Sequence, residues 1–190
     1  MVDKPFRNEN YYVQLARQAL EHYIKTGKVL KPSGILKDHA ENKSKGLFVT
    51  ILKNGQLRGC MGTIRPRWES LEQEIIHNAI NAGTRDPRFL PVDEEELADL
   101  IYVVDVLKEP EPVFSLDELD VNRYGLIAKC GDRCGALLPG MEGIDTPAKQ
   151  LEVVLSKAGI HHGEEYTMER FEVTRYGKVG LESHGRSENS

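Results

Sequence analysis

The sequence predicts an α+β protein built on antiparallel strands. Asn54-Gly55 stands between two β-favouring runs, and this pair is typical of a tight hairpin turn because both positions tolerate positive φ. A second hairpin is predicted where Gly131-Asp132 joins two short strands. Segments with helical periodicity do not strictly alternate with the strands, so a doubly wound parallel sheet is disfavoured.

Three segments carry apolar residues at helical spacing and are followed by a glycine that would end the helix. In the second, Ser70 and Gln73 have the spacing of a capping box, and in the third a proline stands at the first helical position. The segments are 11–24, from Ser70 to about Gly83, and from Thr146 to Gly159.

Strands are predicted from runs rich in β-branched and apolar residues. Short helical turns are predicted after Asp93 and Ser115, each with a glutamate three residues on. The predicted strands are 47–52, 57–60, the run "LIYVVDVLKEP", two strands within "YGLIAKCGDRCGALLPG", and Phe171 to Tyr176 with an extension through Val179 to Leu181.

Composition indicates an ordinary globular domain. The 190 residues are 39% hydrophobic and 29% charged, which suits one domain with a sizeable core, and the small polar residues 182–190 are expected to fray. A net charge of -5 disfavours binding that rests on phosphate neutralisation, although a local basic patch is compatible with it. The sequence has no run of about 20 apolar residues and no secretory signal at its start, so we expect a cytoplasmic protein without a membrane partner.

The stretch "QLRGCMGT" places a thiol between two glycines. Cys60 lies between Gly59 and Gly62, which leave space around the sulfur and let backbone amides turn toward a ligand. Arg58 would share a face with Cys60 if the strand stays extended, and a guanidinium beside a thiol lowers its pKa. The alternative is that Cys60 is a small core residue at the end of a hairpin.

The stretch "TRDPRF" places Asp86 between two arginines in a predicted loop. A carboxylate compensated in this way would fix the loop and leave donors of Arg88 for an anion. The alternative is a set of solvated surface charges.

The remaining candidates are weaker. Cys130 and Cys134 flank the second hairpin turn, and with His161 and His162 they match no standard zinc spacing, so two ordinary thiols are favoured over a metal site. His77 could border the thiol site, but a helix-surface histidine is favoured. The phosphate-binding loop, the dinucleotide fingerprint and the serine nucleophile elbow are absent from the sequence.

Three blocks of the sequence resemble the AMMECR domain family in order and spacing. They are "GLFVTILKNGQLRGCMGTIRP", "RDPRFLPVDEEEL" and "FEVTRYGK". The segment "YGLIAKCGDRCGALLPGMEGIDTPAKQLEVVLSKAGI" is similar to the prokaryotic branch called AmmeMemoRadiSam system protein A. The resemblance covers about residues 10–181 of a single domain.

The resemblance implies two unequal lobes, each with an antiparallel sheet, with the smaller lobe from the middle of the chain and a cleft between them. It places Leu57 to Cys60, Gly62, Asp86, Arg88 and Phe89 near that cleft. It implies a Memo-like protein and a radical-SAM protein as partners. Their cofactors are not expected on this chain, which lacks the Cys-x3-Cys-x2-Cys pattern; nucleic acid and a homodimer stay open as partners.

Two functions remain open from the sequence. In the first, an enzyme or carrier acts on a small anionic or carbonyl substrate, with Cys60 as nucleophile, Arg58 and Arg88 as charge stabilisers, and Asp86 holding the arginines. In the second, the same surface belongs to a non-catalytic module that binds the partner proteins or RNA. There Arg58 would pair with Asp86 as a structural bridge.

Overall fold

The computed structural model describes residues 10–35 and 43–178. Within them the chain forms three α-helices and eight strands in two antiparallel sheets, which confirms the predicted α+β class. The elements in chain order are α1 (Tyr11–Thr26), β1 (Leu47–Lys53), β2 (Gln56–Thr63), α2 (Leu71–Thr84), β3 (Leu100–Leu107), β4 (Glu111–Val113), β5 (Gly125–Cys130), β6 (Arg133–Leu137), α3 (Pro147–Ala158), β7 (Thr167–Phe171) and β8 (Val173–Tyr176).

All three helices begin at a capping residue, and two of them end at the glycine that the sequence predicts, whereas α2 continues past Gly83 to Thr84 and is capped by Arg85. The side chains of Asn10, Ser70 and Thr146 each accept a hydrogen bond from a backbone amide in the first turn of α1, α2 and α3. Helix α1 ends at Gly27 and α3 at Gly159, both in the left-handed region that glycine adopts without strain. No helix within 10–35 and 43–178 is long and apolar enough to cross a membrane.

The larger lobe is a sheet in the order β2-β1-β3-β8, with α1 and α2 packed on one face. Alternate residues of β1, Leu47, Val49 and Ile51, are fully buried in the core beneath these helices. The residues between them, Phe48 and Thr50, therefore point from the opposite face of the sheet, because side chains alternate along a strand. That second face turns toward the smaller lobe.

The smaller lobe is a sheet in the order β4-β7-β5-β6, with α3 packed on β5 and β6. Its elements lie between β3 and β8, so the smaller lobe is formed by the middle of the chain. The lobes meet in an apolar seam of side chains from both sheets. The seam consists of Phe48, Ile64, Leu107, Ile127, Ala136, Leu138, Phe171 and Val173.

The prediction of one strand from Phe171 to Tyr176 is wrong, because this segment contains two strands in different sheets. Phe171 ends β7 in the smaller lobe, and Val173 begins β8 in the larger lobe. Glu172 makes the crossing, and its carbonyl accepts a hydrogen bond from the amide of Lys108. Strand β4 was not predicted because it is only three residues long and contains Pro112. The predicted extension to Leu181 and the frayed tail 182–190 lie outside the described residues.

Candidate functional site

Cys60 lies on the face of β2 that turns toward the smaller lobe. It pairs with Thr50 across the β1–β2 ladder, and Oγ1 of Thr50 donates to Sγ at 3.3 Å. The residue is half-buried, and burial raises the pKa of the thiol, while the hydrogen bond from Thr50 opposes that rise. At neutral pH the sulfur is therefore held mainly as a thiol.

Two cations from different lobes act on this thiol. The charges of Arg88 and Lys157 lower the pKa of Cys60, and the charge of Asp105 raises it. Lys157 comes from α3 of the smaller lobe, where its Nζ donates to the carbonyl of Ala136 at 3.3 Å. Loss of solvation lowers the pKa of Lys157, and no carboxylate among the described residues lies within ion-pair distance of it.

Asp105 is a fully buried carboxylate on the same face of the sheet. It lies across the β3–β8 ladder from Arg175, whose Nε and Nη2 donate to it at 2.7 and 3.0 Å. The two-pronged pair satisfies a charge that would otherwise be costly to bury. It also fixes β8 against β3 beside the thiol.

Asp86 fixes the loop after α2 to the strand that carries the thiol. Its Oδ2 accepts a hydrogen bond from the backbone amide of Cys60 at 2.9 Å. Arg88 donates from Nε to Oδ1 at 2.9 Å and from Nη2 to Oδ2 at 2.7 Å. The hydrogen bonds from Arg88 come first among the causes that lower the pKa of Asp86 to about 2. The Arg88 side chain stays 52% exposed, so the N–H groups that it does not donate to Asp86 can reach a ligand.

Arg58 faces Glu96 rather than Cys60, contrary to the expectation that the two motif residues share a face. The β1–β2 register slips between Leu57 and Gly59, which leaves Arg58 as an extra residue in a bulge and re-aims its side chain. Its Nε and Nη2 donate to Glu96 at 3.0 and 2.8 Å. The expected pairing of Arg58 with Asp86 is therefore wrong.

The two sequence motifs nevertheless meet through Arg58. Its Nη1 donates to the carbonyl of Leu90 at 2.9 Å, and the ring of Phe89 lies within 6.0 Å of its guanidinium and 5.5 Å of that of Arg88. Arg58 and Glu96 thus hold the loop that positions Asp86 and Arg88. Arg58 therefore affects the Cys60 sulfur only indirectly, through the position of this loop.

Gly59 and Gly62 are required by close packing. A Cβ on Gly59 would lie 2.1 Å from the carbonyl oxygen of Ala82 in α2, and one on Gly62 would lie 2.4 Å from the carbonyl oxygen of Leu47 and from the ring of Phe48. Their absent side chains let β2 approach α2 and β1. The ligand-binding role expected for both stays a prediction.

Cys130 and Cys134 lie on opposite faces of the smaller sheet. In the β5–β6 ladder Cys130 pairs with Arg133 and Cys134 with Lys129, so the two thiols occupy alternate positions. Both are free cysteines. Across 10–35 and 43–178, no three His, Cys, Asp or Glu side chains are grouped to hold a metal ion.

His77 lies against Trp68, with the rings parallel within 8° and their centroids 3.6 Å apart. Burial lowers the pKa of His77. The charge of His77 is not among those that act on Cys60. His77 is therefore not placed to accept the proton of the Cys60 thiol, and Lys157 is the candidate base.

A groove with a volume of 890 Å³ runs between the lobes on the other side of the seam. Gly46, which lines the groove, immediately precedes β1, and Phe48 of the seam and Thr50 beside the thiol follow at two-residue spacing. The seam therefore separates the groove from Cys60. A second recess, of 500 Å³, is lined by Lys53, Arg58, Leu90, Pro91, Asp93, Glu95 and Glu96.

Sequence reasoning missed Lys157, Glu96 and Asp105. Lys157 reads as an ordinary lysine in the last turn of a helix, and Asp105 as one polar residue in a buried strand. The sequence predicts Glu96 as the capping partner of Asp93, and the backbone amide of Glu96 does donate a hydrogen bond to the side chain of Asp93. An isolated carboxylate within the apolar run of β3 was the one signal that could have drawn attention to the site.

The fold and this site define a two-lobed α+β protein with a cysteine of the larger lobe facing a lysine of the smaller lobe. The family model described as AMMECR1 matches residues 13–179, and the chain belongs to this family. The resemblance read from the sequence is thereby confirmed at the level of the family.

Relatives of different length share this domain. A protein of Clostridium acetobutylicum is 46% identical over 167 residues, which cover 87% of this chain and 35% of that protein. A protein of Thermotoga maritima is 44% identical over 170 residues, which cover 88% of this chain and 98% of that protein. This chain therefore spans about a third of the first relative and nearly all of the second. The crystal structure of an uncharacterized protein from Pyrococcus horikoshii is similar, with a TM-score of 0.76, 31% identity, and coverage of 87% of this chain and 88% of that one.

Proposed function

We propose that the chain is an enzyme or covalent carrier in which the Cys60 thiol adds to the carbonyl carbon of a small anionic substrate. The observation that carries this proposal is the convergence of Cys60 with two cations, Arg88 and Lys157, from different lobes. A substrate at this place would contact both lobes. The carboxylate or phosphate of the substrate would bind the exposed side of the Arg88 guanidinium.

Lys157 supplies the base that the sequence did not reveal. Burial raises the pKa of Cys60 and lowers that of Lys157, which brings the proton affinities of thiol and amine closer together. In its neutral form the amine accepts the thiol proton. The ammonium that results stabilises the thiolate, which is the nucleophilic form of cysteine.

The chemistry balances as an addition. Sγ of Cys60 forms a bond to the carbonyl carbon, the π electron pair moves to the carbonyl oxygen, and Lys157 returns the proton to that oxygen. Arg88 stays charged throughout and holds the anionic group. Arg58, Asp86 and Glu96 position the loop that carries Arg88.

The test compares alkylation of Cys60 by iodoacetate, which is anionic, and by iodoacetamide, which is neutral. In a Cys130→Ser/Cys134→Ser background, iodoacetate should be favoured, and Lys157→Gln or Arg88→Gln should reduce that preference by about threefold to tenfold. Lys149→Gln is a matched control on the same helix, since Lys149 is paired with Glu152 and is exposed. Equal preference for the two reagents in the parent and in all variants would contradict the proposal.

A second function is favoured by the length of one relative. The Clostridium protein is about three times as long as the matched segment, so a domain of this kind occurs beside other protein segments. We assign contacts with another protein to Leu90 and Phe114, two large apolar side chains that are 84% and 89% exposed. The Memo-like and radical-SAM partners suggested by the sequence belong to this proposal.

The two functions differ in their need for the sulfur. Cys60→Ser keeps the size of the side chain, so it should abolish covalent chemistry and leave binding of a partner protein intact. Loss of partner binding in Leu90→Ser and Phe114→Ser, with Cys60→Ser as the unaffected control, would favour the accessory function. Retained partner binding in both surface variants would contradict the assignment of these residues.

A further inference from the structure

The chain between β2 and α2 forms a loop, residues 64–69, that is closed at both ends. Thr63 pairs with Leu47 at the end of β2, and Ser70 forms a β-bridge with Lys43. The segment 43–45 therefore runs beside this loop. The loop carries the sequence "IRPRWE" and includes two arginines and the only tryptophan of the chain.

A buried carboxylate holds the 64–69 loop in one shape. Glu74 of α2 is fully buried and accepts hydrogen bonds from the backbone amides of Arg67 and Trp68, from Oγ1 of Thr63 at 2.9 Å and from the side-chain amide of Asn78 at 3.3 Å. All four donors are neutral, so the charge is balanced by hydrogen bonds alone, which is a costly way to bury a carboxylate. This arrangement holds Arg65, Arg67 and Trp68 exposed to solvent before any ligand binds.

Four exposed cations surround the loop: Lys43, Lys45, Arg65 and Arg67. None of them has a carboxylate within ion-pair distance among the residues that the structure describes. The loop itself carries one acid, Glu69. Unpaired cations gathered on one surface of a chain with a net charge of -5 indicate an anionic ligand.

Trp68 adds an aromatic platform to this basic surface. Its ring lies parallel to that of His77 at 3.6 Å, and 40% of the residue stays exposed. Burial lowers the pKa of His77, so the imidazole is a neutral support for the indole at neutral pH. The platform therefore offers a rigid indole to solvent.

We infer that the 64–69 loop and the segment 43–45 form a binding surface for single-stranded nucleic acid. A base stacks on Trp68, and the phosphates on either side contact Arg65, Arg67 and the lysines of segment 43–45. The interlobe groove of 890 Å³ is lined by Lys45, Arg65 and Lys108, with Glu109 and Glu169 also in its lining, and the strand enters it past Lys45 and Arg65. One platform flanked by exposed cations matches an unpaired strand, whose bases are free to stack, better than a duplex.

The sole tryptophan makes the inference directly measurable. A short oligouridylate, added in low-salt buffer, should quench Trp68 emission, and the anisotropy of the labelled strand should rise in parallel. Affinity should fall as salt is raised, because phosphate contacts release counterions. Trp68→Ala, followed by anisotropy alone, should weaken binding by about tenfold.

Two double variants distinguish binding at this surface from a general effect of removing positive charge. Arg65→Gln/Arg67→Gln should weaken binding by about tenfold or more and reduce its salt dependence. Lys25→Gln/Lys28→Gln removes two exposed cations at the end of α1 and should leave binding unchanged. Circular dichroism confirms that each variant is folded.

The outcomes divide clearly. Unchanged tryptophan emission and anisotropy at low salt would overturn the inference, and so would equal losses in the two double variants. Binding of uridine monophosphate or of a duplex as tight as that of the single strand would also overturn it. Cys60→Ser should bind the strand like the parent, and Arg65→Gln/Arg67→Gln should alkylate at Cys60 like the parent, so this inference and the proposed thiol chemistry fail independently.

Discussion

The backbone amide of Cys60 donates a hydrogen bond of 2.9 Å to Oδ2 of Asp86, which joins the thiol-bearing strand to the loop after α2. The same carboxylate accepts two hydrogen bonds from the Arg88 side chain, so one buried group positions both the thiol and a nearby cation. Strand and loop are therefore expected to respond together when this carboxylate is changed or protonated.

Asp86→Asn should reduce the free energy of unfolding at pH 7 by about 1 to 2 kcal/mol. Hydrogen bonds from Arg88 hold the folded-state pKa of Asp86 at about 2, below its ordinary value of 3.8. A depressed pKa stabilises the fold above the unfolded pKa, and this contribution is lost as pH falls toward 2. Urea denaturation at several pH values should therefore show a shallower acid loss in Asp86→Asn than in the parent.

The comparison between variant and parent isolates the contribution of Asp86 to the acid loss of stability from that of the other carboxylates. Hydrogen bonding to Arg58 and Lys53 lowers the pKa of Glu96 to about 2, and this carboxylate is present in both proteins. Glu152→Gln, which removes an exposed acid of α3, is the control and should follow the parent curve. Parallel acid losses in Asp86→Asn and the parent would contradict the assignment.

The pKa of Cys60 should depend more on Arg88 than on Arg58. Burial raises this pKa and the charge of Arg88 opposes the rise, so Arg88→Gln should raise it further. Arg58 is held by both oxygens of Glu96 and can act on the thiol only through the loop that carries Arg88, so Arg58→Gln should raise the thiol pKa less than Arg88→Gln does. The pH dependence of iodoacetamide alkylation, in the Cys130→Ser/Cys134→Ser background, measures both.

A rise in the thiol pKa in Arg58→Gln of the same size as in Arg88→Gln would restore the role that the sequence suggested for Arg58. Arg123→Gln is a control for loss of a guanidinium elsewhere, since Arg123 pairs with Glu172 in the exposed part of the molecule. It should leave alkylation at Cys60 unchanged.

Local signals explain how much of the fold could be predicted. The caps at Gly27, Ser70, Thr146 and Gly159 and the Asn54-Gly55 turn are each contained in a few neighbouring residues, and they were found where predicted. The division of 171–176 into two strands depends on which lobe each half joins, and no local pattern records it. The same limit applies to the seam between the sheets.

The sequence motifs predicted some of the residues that form the site, but not which of these residues contact one another. Cys60, Asp86 and Arg88 do lie together, but the bulge at Arg58 depends on the register of β2 against β1 and sent that side chain to Glu96. Lys157 approaches Cys60 only because the smaller lobe packs on the second face of the larger sheet. Such contacts between distant parts of the chain follow from tertiary packing, which residue spacing does not encode.

Mild oxidation should not join Cys130 to Cys134. The two thiols lie on opposite faces of the smaller sheet, and Nη2 of Arg133 lies 3.3 Å from Sγ of Cys130. Cys134 is the exposed one of the three cysteines, so it should alkylate first and form disulfides between chains. Mass spectrometry of non-reduced digests checks this, and a Cys130–Cys134 peptide as the main product in folded protein would contradict the register.

Gly59→Ala should destabilise the fold through the backbone rather than through loss of a ligand contact. The new Cβ would meet the carbonyl oxygen of Ala82 at 2.1 Å, and helix α2 would have to move away from β2, at a cost of about 3 kcal/mol. Gly140→Ala is the control, because its Cβ meets no atom within 4 Å and only the positive φ of 66° opposes it, which costs about 1 kcal/mol. Denaturant unfolding measures both variants. A smaller loss in Gly59→Ala than in Gly140→Ala would show that the close approach of β2 and α2 is not what requires glycine at position 59, and the ligand-binding role for this residue would then be favoured.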